Sequence, residues 1–332
     1  MLRLDGKVAL VTGCGTRGEG WGNGKAIAVL LARQGATVFG VDRDLDAAKV
    51  TQKIIEEEGG KVHVTTANVT IAEDVQNMVK SCMDMLGRID ILINNVGQSE
   101  PGGPVEMSEE TWDGQMDLNV KTAFLTMKSV LPIMENQGSG SIISISSVAG
   151  LRYVGKPQVA YAAGKAALMQ LTKTTAVLYA SKGIRLNCVV PGLVFTPLVK
   201  RLADKYAGGQ YEAFVEHRHK QVPAGHMGDA WDVAHTVLFF GQRREPLHHC
   251  AKHCGGRWLD CGHPINIPIR TPDASTHAQV SPKSGHHHRC WLRGSRMGQW
   301  TRNRRALCPR RGEGFCRGYR FRCHGRYPKN DC

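Results

Sequence analysis

Residues 7–35 read KVALVTGCGTRGEGWGNGKAIAVLLARQG. An apolar, β-branched run (KVALVTG, 7–13) predicts a buried strand, and KAIAVLLARQG (25–35) predicts a helix ended by Gly35. Between them lies a glycine-rich loop. Glycine suits a backbone that must turn tightly and approach a pyrophosphate, while the following helix N-terminus offers free N–H groups and a positive dipole end. Gly13, Gly22 and Gly24 are the natural turn, approach and packing positions. An isolated glycine run also reads as a flexible loop; the strand before it and the helix after it favour a phosphate cradle.

Working outward, the alternation continues. ATVFGVD (36–42) predicts a second strand, DLDAAKVTQKIIEEEGG a helix, KVHVTTANV a third strand, and IAEDVQNMVKSCMDMLG another helix. IDILINNVG (89–97), GSIISISS (140–147) and IRLNCVVPG (184–192) predict further strands, the last preceded by the helical LMQLTKTTAVLYASKG. Strands separated by helices of this length imply right-handed βαβ crossovers and a parallel sheet covered on both faces. The expected fold is a doubly wound, Rossmann-like α/β domain, with ligands bound beyond the carboxyl ends of its strands.

The net charge of +14 over 332 residues points to an anionic partner, but its placement changes that reading. Residues 1–240 hold 24 Lys plus Arg and 24 Asp plus Glu, whereas residues 241–332 hold 19 and 5. Cysteine is as lopsided: Cys14, Cys82 and Cys188 precede residue 241 and eight follow it. Three scattered cysteines fit a reduced protein without a disulfide framework. MLRLDGKVALVTG lacks a signal-peptide apolar run, and no stretch approaches a membrane span, so the expected location is cytoplasmic with no membrane partner.

Two local constellations carry chemistry. Asp42 closes the second strand, where a carboxylate can accept hydrogen bonds from an adenosine ribose and repel a 2′-phosphate. That favours NAD, while Arg43 and Arg17 nearby keep NADP possible. Tyr161 and Lys165 stand four apart at the start of a helix and share one face. An ammonium beside a phenol favours phenolate and brings a group of pKa about 10 closer to neutrality, as a general acid/base requires.

The glycine loop, NNVG (94–97), Asn119 in MDLNV, Ser147, YAAGK (161–165) and VVPGLVFTP (189–197) fall in the order of the short-chain dehydrogenase/reductase motifs, and residues from about 5 to 240 resemble that family. The resemblance implies an NAD(P)-dependent interconversion of a secondary alcohol and a ketone. In it Tyr161 is the general acid/base, Lys165 depresses its pKa and holds the nicotinamide ribose, Ser147 hydrogen-bonds the substrate oxygen, and Asn119 positions a water of a proton relay. Asn68, Asn94 and Gly97 would lie against the adenosine, and Pro191, Gly192 and Thr196 against the nicotinamide. The family also implies a homo-tetramer or dimer.

Departures from the pattern are local. Eight residues separate Gly13 from Gly22 where the family has three, NNVG replaces NNAG, Gly164 replaces a common Ser, and Ser147 lies fourteen residues before Tyr161, one more than usual. Gln98, Ser99, LRYVGKPQV and the stretch from Val194 to Met227 are expected to shape the substrate pocket. His217, His219 and His226 read as surface residues.

After Phe240 the resemblance stops. GQRREPLHHCAKHCGGRWLDCG (241–262) stands where the family has a polar turn and a last strand ending in DGG. Read one base later through permitted codons, the same stretch gives ASDESHYITAQNIVVDGGLTA, and the single codon of Trp258 fixes part of one glycine. Residues 241–332 are therefore expected to be an irregular, out-of-frame tail, with the last strand lost and catalysis impaired. The alternatives are a zinc site from His249, Cys250, Cys254, Cys261 and His263, or a basic nucleic-acid arm. Neither shows the required spacing or module, so no metal and no nucleic acid are expected.

Overall fold

The computed structural model describes residues 3–16, 18–242, 251–254 and 257–260. Six strands, β1 (Val8–Thr12), β2 (Thr37–Asp42), β3 (Lys61–Thr66), β4 (Ile91–Asn94), β5 (Gly140–Ile145) and β6 (Ile184–Val190), pair in the order β3-β2-β1-β4-β5-β6, every pair parallel. Their crossovers are α1 (Asn23–Arg33), α2 (Leu45–Glu57), α3 (Ala72–Leu86), the pair α4 (Glu109–Met116) and α5 (Thr122–Asn136), and α6 (Val159–Tyr179). This is the doubly wound architecture the alternation implies. Strand order reverses between β1 and β4, so a crevice opens at their carboxyl ends.

Residue type explains the elements. Every side chain of β1 and of β4 is buried, as parallel strands covered on both faces require. One face is filled by α1 and α9 (Ala230–Gly241), with Ile27, Leu31, Val237 and Phe240 in a single cluster. The other is filled by α3, α5 and α6 through Met78, Val130, Met134 and Leu168. Each such side chain contributes roughly 1.5–3 kcal/mol on full burial. Asp44 caps α2 by accepting the Ala47 N–H, and Asp229 with Asp232 forms a capping box at α9. Buried Asp90 accepts from Arg88, Lys7 and the Val8 N–H; burial alone would raise its pKa, and these partners instead hold it below the ordinary carboxylate range.

Beyond β6, short β7 (Val194–Phe195) pairs with β8 (Gly228–Asp229), and between them α7 (Leu198–Ala207) and α8 (Tyr211–Lys220) cover the mouth of the crevice. The end of α9 is fastened to the sheet: Ser141 Oγ and Arg185 Nη1 donate to the Phe240 carbonyl at 2.8 and 3.0 Å.

One expectation changes. The sheet is not left without a strand beyond β6. Strand β9 (Ala251–Cys254) pairs with β6 in parallel, Val189 opposite His253, and β10 (Arg257–Asp260) pairs antiparallel with β9. Parallel geometry on an open β6 edge needs only backbone N–H and C=O groups, so four residues of any composition but proline can occupy it. The compact unit Met1–Ile267 accordingly runs past residue 240, and a second unit, Pro268–Cys332, lies outside the described residues. Of the zinc candidates, Cys254 falls in β9 and His249, Cys250, Cys261 and His263 lie outside the described residues.

Candidate active site

The glycine loop lies at the carboxyl end of β1, beside the switch point. Gly13 sits at φ +67°, a left-handed turn that favours glycine. A Cβ at Gly24 would fall on the Gly13 carbonyl oxygen, so the first turn of α1 packs on the loop only without a side chain. Gly22 is equally confined: a Cβ there would stand 2.6 Å from Thr16 Oγ1, which accepts the Gly22 N–H at 3.1 Å. The end of the loop is tied down at Trp21. Trp21 packs on Trp231 of α9 with ring centroids 4.6 Å apart, and Lys25 Nζ lies 4.8 Å from the Trp21 centroid.

Asp42 is bound to the same loop. Its Oδ2 accepts the Gly15 N–H at 2.9 Å and its Oδ1 the Asp44 N–H at 3.0 Å. A cleft of about 300 Å³ is lined by Gly13, Gly22, Gly24, Asp42, Arg43, Asn68, Gly97 and Thr196; Arg17 lies outside the described residues. Asn94 is placed differently from the rest: it is buried in β4 and accepts the Thr126 hydroxyl at 2.6 Å. The next residue, Asn95, lines the cleft and donates to the Gly13 carbonyl at 3.0 Å. Strand alternation across NNVG sends the two asparagines to opposite sides.

A second cavity of about 150 Å³ shares Asn23, Asn95, Gly97, Gln98, Thr196 and Leu198 with the first and holds Ser147, Tyr161, Lys165, Pro191 and Gly192. Ser147 follows β5, and its Oγ accepts the Ala149 N–H at 3.2 Å, which leaves its O–H to donate. Lys165 is buried; its Nζ donates to the Ile145 carbonyl at 3.0 Å and stands 5.7 Å from the Tyr161 ring centroid. Burial lowers the Lys165 pKa to about 8, with Cys188 opposing.

Asn119 occupies a π-helical turn (Asp117–Lys121) between α4 and α5, a distortion frequent at functional sites. Its Nδ2 donates to the carbonyls of Gln98 and Gln115, and its buried Oδ1 has no partner among the described residues. A Cβ at Gly97 would lie 2.5 Å from Lys165 Nζ and 2.8 Å from Asn119 Oδ1, so both groups converge on that glycine. Gly164 serves the same closeness: its Cβ would stand 3.2 Å from the Asn119 Cβ.

Lys156, Gln158 and Arg218 complete this cavity, with Ser99 donating to Gln158 Oε1 at 2.8 Å. No motif marks Lys156 or Arg218. His217 and His226 are exposed, in keeping with their reading as surface residues, and His219, half-buried, accepts the Met227 N–H through Nδ1 at 2.9 Å. Among the described residues no group of three or more His, Cys, Asp or Glu is placed to hold a metal, and no helix is long and apolar enough to cross a membrane.

The residues fit a dinucleotide. Glycines line the first cleft where a Cβ would collide with the chain, and the orphaned Asn119 Oδ1 and the Lys165 ammonium meet where that cleft joins the second cavity. The phenol of Tyr161 lies beside the buried ammonium at that junction, an arrangement that suits a dinucleotide-dependent oxidoreductase. The short chain dehydrogenase family model matches residues 7–207, and the chain belongs to this family of NAD(P)-dependent oxidoreductases acting on CH–OH groups. It is 36% identical over 240 residues to the 3-oxoacyl-[acyl-carrier-protein] reductase FabG of Thermotoga maritima, covering 72% of this chain and 91% of that protein. A short-chain dehydrogenase/reductase of Burkholderia xenovorans is similar in structure at TM-score 0.73 and 44% identity, over 76% of this chain and 95% of the other. An NAD⁺-bound xylitol dehydrogenase matches at TM-score 0.68 and 27% identity, over 74% and 96%.

Proposed function

We propose that the chain interconverts a secondary alcohol and a ketone with NAD as preferred cofactor and Tyr161 as general acid/base. The observation that carries this reading is the buried Lys165 ammonium, 5.7 Å from the Tyr161 ring centroid and with its pKa at about 8. A positive charge there favours phenolate, so Tyr161 can take the alcohol proton or return it to the carbonyl oxygen. Ser147, its Oγ already accepting from Ala149, directs its O–H to the substrate oxygen. Asn119 Oδ1 is placed to accept from a water that links Lys165 to solvent.

When bound, the nicotinamide supplies the hydride donor or acceptor. Gly13, Gly22 and Gly24 would hold its pyrophosphate, Asp42 the adenosine ribose, Asn68 and Gly97 the adenosine side, Pro191, Gly192 and Thr196 the nicotinamide, and Lys165 the adjoining ribose. Asp42 in the cleft wall supports NAD over NADP, because a second anion at the 2′ position would meet a carboxylate. The NAD⁺ in the similar xylitol dehydrogenase points the same way. The test is a panel of secondary alcohols and ketones followed by nicotinamide absorbance with both cofactors. Turnover with a higher kcat/KM for NAD is expected. Turnover with neither cofactor overturns the activity, and faster turnover with NADP overturns the preference.

The reading extends to residues 241–332, which we take to be translated one base out of frame after a cytoplasmic domain that assembles as a tetramer or dimer. Support comes from the abrupt step in charge and cysteine content at residue 241 and from the strand-like sequence ending in DGG that the shifted frame yields. Sequencing the transcript across codon 241 decides it. An extra base or misplaced junction is expected; a clean message encoding GQRREPLHH overturns it.

A further inference from the structure

Arg218 lies on α8 with only 8% of its surface exposed, and its Nε is buried with no hydrogen-bond partner among the described residues. It faces the cavity that also holds Ser147 and Tyr161, and Lys156 stands in the same wall. The neighbouring acid on its own helix is engaged elsewhere, since Glu216 pairs with Lys220 at 2.5 Å. The rest of the lining contains Lys165 together with asparagine, glutamine, serine, threonine, glycine and apolar residues, with neither Asp nor Glu among the described residues. The adjoining outer cavity, which Lys156 and Arg218 also line, has none either.

Burying a guanidinium without a counter-charge is costly, and two cations in one wall add mutual repulsion. Burial and the Arg218 charge depress the Lys156 pKa to about 8, and burial lowers that of Arg218. Only the Phe214 face, 5.3 Å from the Arg218 guanidinium carbon, offsets part of this within the helix. A charge that the fold leaves uncompensated beside reacting groups is satisfied by what binds there.

We propose that the substrate is a short hydroxy acid or oxo acid whose carboxylate is held by Arg218 and Lys156 while its hydroxyl or carbonyl oxygen meets Ser147 and Tyr161. This rests on the oxidoreductase reading and gives its substrate class. A planar guanidinium fork matches a carboxylate in two parallel hydrogen bonds, and a cavity of about 150 Å³ suits a compact molecule. The ammonium of Lys156 adds a second charge without fixing geometry.

The test assays the full chain on matched pairs of short secondary hydroxy acids and their methyl esters. The acid-to-ester ratio of kcat/KM is expected to be ~100-fold in favour of the acid, to collapse in Arg218→Gln, and to survive in part in Arg218→Lys. Equal use of acid and ester, or an unchanged ratio in Arg218→Gln, overturns the proposal. Turnover of neutral secondary alcohols with the acids ignored overturns it while leaving the oxidoreductase reading intact. A second readout needs no turnover: propanoate titrated against the chain with NADH present, followed by nucleotide fluorescence. Saturable binding that Lys156→Gln and Arg218→Gln both weaken, with no fall in melting temperature, is expected. Absence of propanoate binding to the parent chain overturns the carboxylate site.

Discussion

The first cleft, where the proposed function places the nucleotide, takes much of its wall from glycine backbone, and the second cavity, where it places the substrate, is closed by longer side chains. Gly13, Gly22, Gly24 and Gly97 lack a Cβ where one would collide with the chain's own atoms, whereas Lys156, Gln158 and Arg218 bring functional groups to the second cavity. Where the Cβ would meet backbone, as at Gly24, almost no substitution is tolerated, because the displaced atoms belong to the main chain itself. A side-chain wall can be rewritten one residue at a time without moving the sheet. The first arrangement defines a reaction class, and the second defines what is reacted.

Substitutions at the glycines should break the difference most completely. Gly24→Ala sets a Cβ on the Gly13 carbonyl oxygen, and neither the loop nor α1 can move without losing the Trp21–Trp231 anchor. A stability loss of about 3 kcal/mol is expected, together with loss of nucleotide binding, read by denaturant melts and NADH titration. Gly97→Ala should act more narrowly. Its Cβ would press on Lys165 Nζ and Asn119 Oδ1, both side-chain atoms that can yield, so the fold should survive while kcat/KM falls ~100-fold. A variant with parent-like kcat/KM would show that these two groups need not converge.

Legibility followed the same division. The glycine loop and the Tyr161–Lys165 pair could be read because their spacing is tied to backbone geometry, a left-handed turn at Gly13 and four residues on one helix face, whereas Ser147 was legible only through the family resemblance. The anchoring of the eight-residue loop could not be read, since no sequence pattern tells that Trp21 seats on Trp231, 210 positions later. Asn94 and Asn95 could not be separated until strand register fixed which one faces the cleft. Arg218 lies in the stretch expected to shape the substrate pocket, but nothing in the sequence singles it out, because only the packing of α8 over the cavity buries it. Strand β9 was missed because an open strand edge asks for backbone groups rather than for a residue pattern.

Smaller in size, and specific to the side-chain half, is a dependence of stability on pH. The folded-state pKa values of Lys156 and Lys165 lie at about 8, below the ordinary 10.5. As pH climbs through 8 both shed protons in the folded chain while the unfolded chain keeps them, so stability rises. The buried thiols of Cys14 and Cys82, raised to about 12 from 9.0, act in the opposite sense above pH 9 as the unfolded thiols ionise. A gain of about 1 kcal/mol between pH 8 and 9 is expected from urea midpoints, reduced in Lys165→Met. An equal gain in Lys165→Met would assign it to other groups.

The most direct measurement compares turnover and nucleotide binding in Tyr161→Phe. Removing one hydroxyl leaves the ring beside Lys165 and leaves every glycine of the cleft in place. The expected result is a loss of about 1,000-fold in kcat/KM with the NADH dissociation constant unchanged, because the phenol moves a proton and the backbone wall holds the cofactor. Turnover at the parent rate in Tyr161→Phe would contradict the assignment of Tyr161 as the acid/base.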